Sequence, residues 1–127
     1  MPHIIIEHSK NILEKESLEI GREIQRIMAR ISEGNFDPDQ CKIRCIAYQN
    51  YLVGLEKNDE NFIHISIKIL SGRDVTIRKK LAIETFEYVK NFYKNLKLSQ
   101  KRCDISVDVI EVDREVYQKI TFNSLKL

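Results

Sequence analysis

The chain has 127 residues, of which 43% are hydrophobic and 31% are charged, a composition typical of a single soluble globular domain. Its 21 basic and 19 acidic side chains leave a net charge of +2, so neither nucleic acid nor a membrane surface is expected as a partner. No segment approaches the roughly 20 apolar residues of a membrane span, and the first residues lack the basic region of a signal peptide.

The cysteines Cys41, Cys45 and Cys103 are odd in number and form no C-x-x-C motif. Without a signal sequence, this usage predicts reduced thiols and a cytoplasmic location. The 3 histidines show no paired spacing that could complete a zinc site, so no metal ion is expected.

The first half of the chain predicts a strand, a helix and a second strand. The β-branched run at 4–6 is typical of a strand covered on both faces. Apolar residues then recur at helical spacing from Ile20 to Ile31, and Gly34 follows as a C-terminal stop. A second strand is expected over 42–52. One face of that strand would carry Ile43, Cys45 and Ala47.

The second half predicts the same order of elements after a polar turn. Apolar and polar residues alternate cleanly over 62–70, as in a half-covered strand. A tight turn leads to Asp74, a plausible N-cap for a helix whose apolar face runs over 81–96. A last strand is expected over 103–112, whereas the tail at 113–127 has no clear pattern.

The order is therefore β-α-β followed by β-α-β, in pseudo-repeats of about 2–52 and 61–112 within one domain over 1–127. Each repeat should be a right-handed parallel crossover. We predict an α+β fold, a four-stranded mixed sheet with two helices on one face. The open face would mix polar and apolar side chains, which suits either solvent or a subunit interface. These are Arg44, Ile46, Tyr48, His64, Ser66, Lys68, Ser106 and Asp108.

Pro2 is the sharpest chemical feature of the sequence. Initiator methionine is usually removed before a small residue, and its removal would leave a secondary amine at the start of the first strand. An α-amino group titrates near pH ~8, so partial burial and nearby cations would make it a neutral base at physiological pH. Taken alone, a proline at this position can also do no more than begin an edge strand.

Two arginines are the other candidates. Arg73 precedes the second helix, where backbone N–H groups favour an anion and a guanidinium can grip a carboxylate with two hydrogen bonds. Arg44 lies inside the second predicted strand between apolar neighbours. Each has a simpler interpretation, Arg73 as a solvated loop residue and Arg44 as an extended side chain or an ion-pair partner.

The predicted topology brings these three residues towards one edge of the sheet. Parallel strands one and two begin at the same edge, which would place Pro2 near Arg44. If the repeats are related by a twofold axis, strand three runs antiparallel to strand one and delivers Arg73 to that edge. A base and two cations in one pocket suit a dicarboxylate or a 2-oxo acid as the partner molecule. The arginines would hold the carboxylate and polarise an oxygen while the amine moves a proton.

Three stretches carry a resemblance to a known family: PHIIIE at 2–7, KIR at 42–44 followed by Tyr48, and FIHISIKILSGR at 62–73. They resemble the 5-carboxymethyl-2-hydroxymuconate isomerase family of the tautomerase superfamily, over nearly the whole length of the chain. The resemblance implies a homotrimer without a cofactor, with Pro2 as the catalytic base and with Arg44 and Arg73 as the functional arginines.

The family reaction implied by the resemblance shifts a double bond in a muconate-like 2-hydroxy diacid during the catabolism of aromatic compounds. One departure concerns the residues after the first arginine, where members of the family carry a further basic residue and this chain has Cys45-Ile46-Ala47. The difference leaves the fold and the chemistry in place but bears on which diacid is bound.

Two alternatives remain open on the sequence. The same fold and proline could serve a decarboxylase or a dehalogenase, although no additional water-activating or carboxylate-stabilising group is identifiable. The element order is also that of ferredoxin-like binding modules, including those that bind RNA. Such a module would show stacking aromatics on its open sheet face, where this chain places His64, Ser66, Lys68 and Asp108.

Overall fold

The computed structural model describes residues 1–10, 12–55, 60–96 and 102–123. Four strands and two helices follow one another in the order that the sequence predicts. The predicted four-stranded mixed sheet with two helices is confirmed. One short 3₁₀ turn, Pro38–Gln40, lies between the first helix and the second strand, and another, Arg114–Val116, follows the last strand. The elements are β1 (His3–Ser9), α1 (Ser17–Ile31), β2 (Lys42–Tyr48), β3 (Asn61–Leu70), α2 (Val75–Asn95) and β4 (Cys103–Val112).

The sheet has the strand order β2-β1-β3-β4. The pairs β1–β2 and β3–β4 are parallel, and the central pair β1–β3 is antiparallel. Because of these directions, the start of β1, the start of β2 and the ends of β3 and β4 all lie at one edge of the sheet. This edge is formed by the ends of strands and not by an outer strand. The division into two pseudo-repeats stays a prediction.

The core lies between the helices and one face of the sheet. Alternate residues of β3 point towards the helices, and Ile63, Ile65 and Ile67 are fully buried, as the period of two requires. Gly21 allows α1 to approach β2 closely, since a Cβ atom there would lie 2.6 Å from Cγ2 of Ile43. The same face carries His8, which is 2% exposed and whose Nδ1 lies 2.8 Å from the carbonyl oxygen of Ser9.

The second strand is shorter than the sequence predicts. The expectation of a strand over 42–52 is wrong at 49–52, because β2 ends at Tyr48 and the chain bends at Gln49 and Asn50. The carbonyl oxygen of Tyr48 accepts a hydrogen bond from the backbone N–H of Lys10 at 3.1 Å, beyond the end of β1. Once β1 has ended, the edge strand has no neighbour with which to continue the ladder.

The helix boundaries follow the predicted signals. Gly34 has a φ of 89°, and its N–H bonds to the carbonyl oxygen of Ala29 at 3.2 Å, so this glycine closes the end of α1. The side chain of Asp74 accepts the N–H of Thr76 at 2.8 Å and caps α2 as expected. Part of the predicted turn at 57–61 lies outside the described residues.

Candidate functional site

A pocket of about 320 Å³ opens at the sheet edge where β1 starts and β3 and β4 end. Its volume lies at the lower end of the range for small-molecule sites. The walls come from the chain start, the α1–β2 loop, the end of β3 and the segment after β4. The lining residues are Met1, Pro2, Asn35, Phe36, Asp37, Ile69, Leu70, Arg73 and Arg114.

Pro2 is buried directly before β1 and forms part of the pocket wall. Its carbonyl oxygen accepts the backbone N–H of Lys42 at 3.1 Å, which extends the β1–β2 ladder to the chain start. The ring and this hydrogen bond leave the first residues little freedom. The nitrogen of Pro2 is bonded to Met1 here, so the free amine at this end of the chain is that of Met1.

The surroundings of that amine disfavour its charged form. Burial lowers the pKa of the Met1 α-amino group below its ordinary value, and the positive charges of Lys42 and Lys119 lower it further. The opposing effect of Cys41 is smaller. The Met1 amine is therefore more readily neutral, and so more readily a base, than an amine in water.

Arg73 is held at the pocket wall by the α1–β2 loop. Its guanidinium carbon lies 4.3 Å from the centre of the Phe36 ring, and its Nη2 donates to the carbonyl oxygen of Asn35 at 3.2 Å. Its Nε is buried and has no hydrogen-bond partner among the residues that the structure describes. A buried donor without a partner costs free energy, so the stacking and the bond to Asn35 hold this guanidinium at a cost.

Arg114 is a pocket residue that the sequence reasoning missed. It follows β4 in the tail, where no periodic pattern marks any residue as special. Its backbone N–H donates to Oγ of Ser71 at 3.0 Å, and its Nε donates to the carbonyl oxygen of Ser71 at 3.3 Å. The parallel pairing of β3 with β4 could have indicated it, because residues that follow two parallel neighbours meet at one edge.

Arg44 lies on the open face of the sheet and does not line the pocket. Its Nη1 donates to Nδ1 of His3 at 3.0 Å, since a guanidinium can only donate. Nε2 of the same ring then carries the proton and donates to the hydroxyl of Tyr117 at 3.2 Å. Burial and then the charge of Arg44 lower the pKa of His3. The structure thus places Pro2 and Arg73 in one pocket. Arg44 lies outside the pocket and contacts His3, the residue after Pro2.

Three other residues of the open face, His64, Ser106 and Tyr48, have side-chain partners. Nδ1 of His64 lies 2.7 Å from Oγ of Ser106. The hydroxyl of Tyr48 donates to Oε2 of Glu7 at 2.5 Å. The His64 and Ser106 contact crosses from β3 to β4, so it serves the sheet rather than the pocket.

The sequence matches the family profile described as 5-carboxymethyl-2-hydroxymuconate isomerase over residues 2–125. The chain belongs to this family. The resemblance seen in the three sequence stretches is thereby confirmed, and the family indicates an isomerase. A comparison with functionally curated proteins found no significant match.

Solved structures share the fold of this family member. A 5-carboxymethyl-2-hydroxymuconate isomerase from Deinococcus radiodurans R1 superposes with a TM-score of 0.80 at 16% identity, covering 95% of this chain and 90% of that one. A 5-carboxymethyl-2-hydroxymuconate delta-isomerase gives 0.71 at 19% identity, with coverages of 97% and 89%. A fused 4-OT protein described as a symmetric trimer gives 0.66 at 13%, with coverages of 89% and 88%. At these identities the likeness establishes the fold.

The structure also bears on the membrane and on the state of the cysteines. Neither helix of the described residues is long and apolar enough to cross a membrane. The three cysteines, Cys41, Cys45 and Cys103, carry free thiols.

Proposed function

We propose that the chain is a tautomerase that converts the enol form of a muconate-like 2-hydroxy diacid, or of its carboxymethyl derivative 5-carboxymethyl-2-hydroxymuconate, into the keto form with a shifted double bond. The observation that carries the proposal is the shared pocket of Pro2 and Arg73 at the sheet edge. One residue offers an amine position and the other offers a guanidinium. Membership of the isomerase family supports the same reaction class.

In the proposed reaction, Met1 is removed and the amine of Pro2 acts as general base and general acid. The neutral amine takes the proton of the 2-hydroxyl group while the C–O bond gains double-bond character. The electron pair moves along the conjugated chain, and the ammonium returns the proton to a carbon of that chain. The burial and cations that lower the pKa of the Met1 amine would act on a Pro2 amine in the same way.

Arg73 would bind the substrate at the carboxylate or the developing oxyanion. Its stacking on Phe36 fixes the plane of the guanidinium before the substrate arrives, so little reorganisation is needed during proton transfer.

Arg44 would contribute from the open face of the sheet. Arg44 is hydrogen-bonded to His3, the residue that follows Pro2. A neighbouring copy packed on this face would enclose Arg44. We propose that the functional unit is a homotrimer in which Arg44 completes the site. Symmetric trimers among the structural neighbours support this assembly. The exposure of Ile46, 40% in the single chain, also favours a covered face.

The expected setting is the cytoplasm and the catabolism of aromatic compounds, and the free thiols are compatible with a reducing compartment. The reaction is tested by following the ultraviolet absorbance of 2-hydroxymuconate and of its 5-carboxymethyl derivative. Enzyme-dependent ketonisation that is lost in Arg73→Ala supports the proposal. No turnover of either compound by folded protein lacking Met1 would overturn it.

A further inference from the structure

The pocket contains a second arginine that the proposed proton transfer does not use. We propose that Arg114 is a specificity-determining residue that binds the second carboxylate of a dianionic substrate, so that the pocket selects dicarboxylates over monocarboxylates. Arg114 lines the same pocket as Pro2 and Arg73. The inference rests on the proposed function, because it assigns the far end of that substrate.

The backbone around Arg114 is fixed to the segment that carries Arg73. The N–H of Ser71 donates to the carbonyl oxygen of Val112 at 2.8 Å, and the N–H of Arg114 returns a bond to Oγ of Ser71 at 3.0 Å. The side chain of Asp113 accepts the N–H of Glu115 at 3.0 Å and caps the short turn. These bonds join the ends of β3 and β4, so the two arginines have a defined relative position.

The side chain of Arg114 is oriented but not neutralised. Its Nε donates to the carbonyl oxygen of Ser71 at 3.3 Å, and no carboxylate of the described residues forms an ion pair with it. The two Nη groups have no acceptor within the described part of the chain. A guanidinium held at Nε with both Nη groups open presents the planar pair of donors that a carboxylate accepts.

The charge of the pocket favours a dianion over a monoanion. The lining side chains include two cations, Arg73 and Arg114, and one acid, Asp37. The carboxylate of Asp37 already accepts the N–H of Asp39 at 3.0 Å as the cap of a 3₁₀ turn. Arg73, which rests on Phe36 at the pocket wall, supplies one anion position, which leaves Arg114 for the other.

The test compares two six-carbon acids that differ at one end only. Muconate carries a carboxylate at both ends of its diene, and sorbate carries a methyl group at one end. Calorimetric titration of the full chain lacking Met1 should show at least 10-fold tighter binding of muconate. Arg114→Gln should weaken muconate binding about 10-fold and leave sorbate unchanged, whereas Arg73→Gln should weaken both. Arg114→Lys should restore muconate binding only in part, because the planar fork is lost.

Arg102→Gln is the matched control, because it makes the same charge change at the other end of β4, where Arg102 pairs with Asp104 at 3.1 Å. It should bind both acids as the wild type does, and thermal melts should show all variants folded. Wild-type discrimination in Arg114→Gln would overturn the inference and leave the proposed reaction intact. Arg114-dependent muconate binding without turnover of 2-hydroxymuconate would overturn the reaction and keep the subsite. Failure of the wild type to prefer muconate would overturn the inference by itself.

Discussion

The guanidinium of Arg73 stacks on the ring of Phe36, with 4.3 Å between its central carbon and the ring centre. Phe36 is 7% exposed, so the cation rests on a ring that is itself fixed in the core. An arginine from the β3–α2 turn is thereby oriented by the loop between α1 and β2. Stacking on the ring keeps the charge without supplying an anion that would compete with a substrate.

Phe36→Leu should therefore lower kcat/KM without abolishing the fold. A cation–π contact contributes about 0.5–2 kcal/mol, which corresponds to a loss of about 2- to 30-fold. Phe92→Leu is the matched control, since Phe92 packs against the core beside Tyr88 and away from the pocket lining. Steady-state kinetics should separate the two variants, whereas their melting temperatures should fall comparably. Equal kinetic losses in both variants would mean that the stacking has no special role.

Arg73→Ala should lower kcat/KM by roughly 10²-fold or more, the scale of losing one charged contact to a transition state. Arg44→Ala should cause a loss of the same order if the neighbouring copy encloses it in the trimer. Arg→Lys should restore little at either position, because lysine lacks the planar pair of donors. Unchanged kinetics in both alanine variants would favour a binding module instead of an enzyme.

The elements could be predicted from the sequence because their signals are local. The alternation in β3 fixed which residues face the helices, and Asp74 capped α2 as a short polar side chain before a helix should. The end of β2 could not be predicted in this way. A strand at the sheet edge stops where its neighbour stops, and that depends on the length of β1.

The site was only partly predictable for a related reason. Topology alone places the starts of β1 and β2 at one edge, but the pleat decides which face a side chain takes. Arg44 is paired with Ile5 and points to the open face with it, whereas Pro2 borders the pocket on the edge. Arg114 lies beyond the last periodic residue, so only the pairing of β3 with β4 reveals its neighbourhood.

The proposed homotrimer predicts a mass near three times 15.0 kDa by light scattering. Ile46→Lys, on the open face, should yield monomers with little activity, because a charge cannot be buried there without a partner. Ile83→Lys is the matched control, since Ile83 is 61% exposed on α2 and should remain exposed in the assembly. A fully active wild-type monomer at assay concentration would contradict both the assembly and its role in the site.

The pH dependence should report the amine at the start of β1. Lys42 is among the causes that lower the pKa of the Met1 amine, and its charge would act in the same direction on a Pro2 amine, so Lys42→Gln should raise that pKa. A base must be neutral, and the acidic limb of kcat/KM against pH should therefore move to higher pH, with less activity at pH values below the limb. Lys79→Gln, on the exposed side of α2, should leave the profile in place. If the acidic limb does not move in Lys42→Gln, the limb does not report the titration of this amine.

The most direct measurement compares two homogeneous preparations that differ only in Met1, each verified by intact mass and by a thermal melt. The protein that begins at Pro2 should ketonise 2-hydroxymuconate, and the protein that retains Met1 should be slower by about 10²-fold or more, since general acid–base catalysis contributes about that much. Restoring the rate by proteolytic removal of Met1 from the second preparation would complete the test. Equal rates in the two preparations would contradict the assignment of the Pro2 amine as the catalytic base.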